Sequence, residues 1–74
     1  MSYEVVLGRE TLYRIVLDDR YGETMLYLFE TAESTFPEID QDYPSLAAAM
    51  AACQKLFGIK EAAWTKLPDR QDAG

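Results

Sequence analysis

Cys53 is the only side chain in the sequence able to act as a soft nucleophile, and histidine is absent. A thiol becomes reactive when a base, a cation or a helix N-terminus lowers its pKa. Cys53 instead recurs with Leu46, Ala49, Met50, Leu56 and Phe57 at helical spacing, on one apolar stripe. An inert, buried thiol is the expectation.

Carboxylates offer the second chemistry. Glu38, Asp40 and Asp42 stand at alternate positions, and hard cations such as calcium take oxygen ligands. A calcium loop would need a glycine at its sharp turn and a closing Glu; Pro44 and Ser45 stand there instead. A solvated acidic loop is expected, with a small-ligand or divalent-metal module as the alternative reading. Glu30 and Glu33 suggest an acid/base pair, but glycoside hydrolysis needs two carboxyls facing each other across a cleft about 5–10 Å wide. A chain of 74 residues with one helix has little room for one, so no enzyme is expected. No glycine motif cradles a phosphate, since Gly8, Gly22, Gly58 and Gly74 are all isolated. No cofactor is expected either.

The aromatics Tyr3, Tyr13, Tyr27 and Phe29 raise a third possibility, a stacking platform for single-stranded nucleic acid. Such platforms sit in basic grooves. This chain has a net charge of −6, and from Tyr21 to Gln54 it carries six carboxylates with no Lys or Arg. Phosphate backbones would be repelled, so a nucleic-acid partner is not expected. No apolar run approaches the roughly 20 residues of a membrane helix. Met1-Ser2-Tyr3-Glu4 lacks the basic and apolar stretches of a secretory signal, and a lone cysteine suits a reducing compartment. A cytoplasmic location follows as the expectation.

Three strands and one helix must position these groups. Tyr3–Leu7 is β-branched and aromatic and stops at Gly8. Thr11–Asp18 alternates, with Tyr13, Ile15 and Leu17 on one face and Arg14 and Asp18 on the other. After the turn Asp18–Gly22, Glu23–Thr31 forms a third strand. Pro37 confines any pairing of Thr35–Ile39 to an edge. Pro44 delays the helix to Ser45, its N-cap; Phe57 closes it, and Gly58 takes the left-handed position beyond. Trp64 folds back onto the core. The expected fold is α+β: a three-stranded antiparallel meander, with room for a short fourth edge strand, packed on one amphipathic helix in the order β-β-β-α. Residues 1–67 make a single domain, and 68–74 a disordered C-terminal tail.

The third strand poses a problem that one helix does not solve. Met25, Tyr27 and Phe29 point opposite to Leu26 and Leu28, and a helix covers one face. The second apolar set needs other cover. The expectation is a small acidic, non-enzymatic protein-interaction domain. It would act as a homodimer or as an inhibitor- or immunity-like binder of a basic partner, through Met25, Tyr27, Phe29, Glu38, Asp40 and Asp42.

Overall fold

β-branched and aromatic runs separated by tight turns fold into adjacent antiparallel strands, because short links leave neighbouring segments no other partner. The computed structural model describes residues 1–20 and 22–68. In it β1 (Ser2–Arg9), β2 (Leu12–Arg20) and β3 (Glu23–Phe29) form the meander. β4 (Ile39–Tyr43) then pairs with β3, α1 (Leu46–Phe57) follows, and after a 3-10 turn at Glu61–Ala63 a short β5 (Thr65–Leu67) pairs with β1. The sheet is antiparallel throughout, in the order β4-β3-β2-β1-β5.

The α+β class and the helix-backed meander are as expected, but the sheet has five strands where three or four were expected. The fourth strand also lies elsewhere. Thr35–Glu38 is loop, and pairing begins at Ile39 and runs through the acidic residues. Pro37 lacks an N–H and falls outside the ladder, while Ile39–Tyr43 is free of proline. Thr65–Leu67, unassigned from sequence, is too short to show periodicity and is held by its register with Ser2, Tyr3 and Glu4. β1 continues past Gly8 instead of stopping there. Gly8 takes φ 64° where the β1–β2 register shifts, so the glycine makes a bulge within the hairpin.

The helix limits match the sequence. Ser45 Oγ accepts the Ala48 N–H at 3.1 Å. Gly58, at φ 73°, donates its N–H to the Gln54 carbonyl at 2.9 Å, and Ile59 follows it into the core. Ala49 and Cys53 are buried on the sheet side, flanked by partly buried Leu46, Met50 and Phe57. Leu56, expected in the stripe, is exposed.

One sheet face makes the core. Val5, Ile15, Leu17, Leu26 and Leu28 gather under the helix with Leu12, Ala49, Cys53 and Ile59; Ile15 and Leu17 are 0 % exposed. Tyr13 is half-buried and stands outside this cluster, unlike its expected companions Ile15 and Leu17. Trp64 packs against the cluster with Tyr3 and Tyr43. Of the tail expected over Pro68–Gly74, residues 69–74 lie outside the described residues.

Candidate functional site

The strand registers place every second residue on the side of the sheet away from α1, and these residues form three rows. Val6, Arg14 and Phe29 make the first. Thr65, Glu4, Val16, Tyr27 and Asp40 make the second, and Leu67, Ser2, Asp18, Met25 and Asp42 the third. No described element crosses this face: α1 contacts β2, β3 and β4 from the side of Leu17, Leu26 and Leu28. Met25, Tyr27 and Val16 are half-buried by their neighbours alone, and Val6 is 55 % exposed.

The face carries a central apolar strip with charge on its flanks. Arg14 Nη1 donates to Glu4 Oε2 at 3.0 Å, and the Arg14 guanidinium carbon sits 4.1 Å from the centre of the Phe29 ring. A cation over an aromatic face both shields the ring and is attracted by it. Phe29 is only 9 % exposed, so of the three apolar residues expected to meet a partner it is the one already covered. Arg20 Nε pairs with Asp18 Oδ2 at 2.8 Å. Asp40 and Asp42, next to Tyr27 and Met25 in the register, have no ion-pair or hydrogen-bond partner among the described residues. Among the described residues, negative charge is therefore uncompensated along the β4 side of the face.

Of the six residues singled out from sequence, Met25, Tyr27, Phe29, Asp40 and Asp42 come together on this face. Glu38 does something else. Its carboxylate accepts the Glu30 N–H at 3.0 Å while its own N–H donates to the Leu28 carbonyl at 2.9 Å, so it ties the 30–38 loop to the end of β3. The acidic stretch is a strand from Ile39 onward, not a loop. Strand geometry spaces Asp40 and Asp42 about 6.5–7 Å apart at Cα, on one face of the sheet. Among the described residues no three or more Asp, Glu, Cys or His converge as metal ligands.

Val6, Val16 and Phe36 were missed. The alternation that assigned Arg14 and Asp18 to this face assigns Val16 to it as well, and Val6 follows from pairing with Arg14. Phe36, 80 % exposed in the loop before β4, carries no periodic signal. Glu30 and Glu33 are exposed positions around the β3–β4 loop. Cys53 is fully buried, and desolvation pushes its thiol up from 9.0 to about 11, the opposite of activation. The Trp64 indole N–H is buried without an acceptor among the described residues. No described helix is long and apolar enough to cross a membrane. Comparison with protein-family models, with curated proteins and with solved structures gives no match.

Proposed function

We propose that the chain is a non-enzymatic protein-interaction domain of the cytoplasm, whose open sheet face receives a partner protein with a basic surface. The observation that carries this reading is the face itself. Val6, Val16, Met25 and Tyr27 form an apolar strip left uncovered by any described element, bordered by Asp40 and Asp42, whose carboxylates have no ion-pair partner among the described residues. Contiguous apolar surface rimmed by charge is a common mark of interaction sites, and Phe36, in the loop before β4, is a further exposed aromatic. The charge chooses the partner. A second copy would bring a net −6 against a net −6, whereas a basic surface meets Asp40 and Asp42 with opposite sign and is steered toward them.

The test is capture from native-host lysate on immobilised wild type, Tyr27→Lys and the Asp40→Asn/Asp42→Asn double variant, with light scattering at micromolar concentration alongside. Support is a basic protein retained by wild type, lost by Tyr27→Lys, weakened by the double variant and released as salt rises. Equal retention by all three, or a wild type scattering at twice 8.4 kDa and returning to monomer in Tyr27→Lys, sinks the proposal.

A further inference from the structure

β4 is an edge strand: β3 pairs one of its sides, and the order β4-β3-β2-β1-β5 leaves the other side without a strand among the described residues. An edge presents alternate backbone N–H and C=O groups outward, ready to pair with another extended segment. Its side chains set what that segment must carry. Asp40 and Asp42 lie on the open face, and Ile39, 49 % exposed, and Gln41 lie on the helix side. A strand added beyond β4 places its own residues directly opposite these, about 4.5–5.5 Å away between Cβ atoms. Positively charged residues therefore belong at the positions facing Asp40 and Asp42, and an apolar one at the position facing Ile39.

We propose that the free edge of β4 takes up an extended basic segment of the partner as an added strand, alternating Lys or Arg with apolar residues. This rests on the reading of the open face above, and names the part of the partner that meets its acidic side. The same carboxylates turn away a second copy. Two β4 edges would oppose aspartate to aspartate, and the other edge strand, β5, puts Lys66 in register with Tyr3 on the helix side, away from Asp40 and Asp42. Charge on an edge commonly guards against self-association. Here it repels the acidic chain itself and admits a basic one.

The probe is the synthetic peptide Lys-Val-Lys-Val-Lys-Val, titrated into the isotope-labelled full chain and followed through its backbone amides. Controls are the block peptide Lys-Lys-Lys-Val-Val-Val and two N-methylated forms of the alternating peptide, one methylated at its lysines and one at its valines. Strand addition predicts shifts and slowed amide exchange centred on residues 39–43. Asp40→Asn and Asp42→Asn each weaken binding roughly threefold, as for exposed ion pairs. One methylated form binds and the other does not, because in a strand only alternate N–H groups face the neighbour. Equal binding of the two methylated forms, equal binding of the block peptide, or shifts centred on β5 or α1 overturns the proposal. If it falls while Tyr27→Lys still abolishes capture of the native partner, the docking face stands and only the strand addition is lost.

Discussion

The two faces of one sheet have opposite fates here, although both are built on the same strands. Leu26 and Leu28 on the helix side are sealed by α1, while Met25 and Tyr27, their immediate neighbours in β3, have no such cover. The difference lies in what faces them: a helix with Ala49 and Cys53 at the contact on one side, and solvent with scattered charge on the other. Small helix residues bring α1 close and give the core its density. The open side is held by lateral contacts within the sheet, by Arg14 over Phe29, and by the Glu4–Arg14 pair. Stability therefore concentrates on one face, and the other is the one proposed above for recognition.

The contrast breaks first at the core. Leu17→Ala removes a fully buried side chain and costs about 2–4 kcal/mol, enough to consume most of the ~3–5 kcal/mol expected of so small a domain. Val16→Ala, one residue along on the other face, costs under about 1 kcal/mol; urea denaturation of the two variants measures the gap. Next comes the pH dependence of Cys53. Its folded pKa is raised, so its contribution is intact below 9.0 and is lost as pH climbs through about 11. Wild-type stability falls by a further 2 kcal/mol or so across that window relative to Cys53→Ala, read from melts at stepped pH. Ser45→Ala deletes the helix cap and costs about 1 kcal/mol by the same denaturation. Smallest is the open face: Glu4→Gln or Tyr27→Lys shifts the urea midpoint by the equivalent of about 0.5 kcal/mol or less, since the ion pair is partly exposed and Tyr27 supports no core contact. For Tyr27→Lys that small loss accompanies complete loss of partner capture.

Sequence reasoning reached the helix residue by residue, because Ser45 and Gly58 are local signals whose chemistry needs no tertiary context. The two-sided apolar character of Met25–Phe29 likewise announced a second face before its surroundings were visible. β4 and β5 were out of reach. Asp has low strand propensity, and Ile39–Tyr43, with two of them, pairs alongside the β3 edge. A three-residue strand such as Thr65–Leu67 has no period to read. The same limit hid the meaning of the acids. Their spacing of two did not show that the strand turns Asp40 and Asp42 onto one face and leaves Glu38 to close the loop.

The most direct test of the two-face account is methyl relaxation of the free protein in the presence of a soluble paramagnetic agent. The methyls of Val6, Val16 and Met25 broaden strongly while those of Leu17, Leu26 and Leu28 stay sharp. Protection of Val6, Val16 and Met25 equal to that of Leu26 would mean that the face is sealed in the free protein, and would contradict the account.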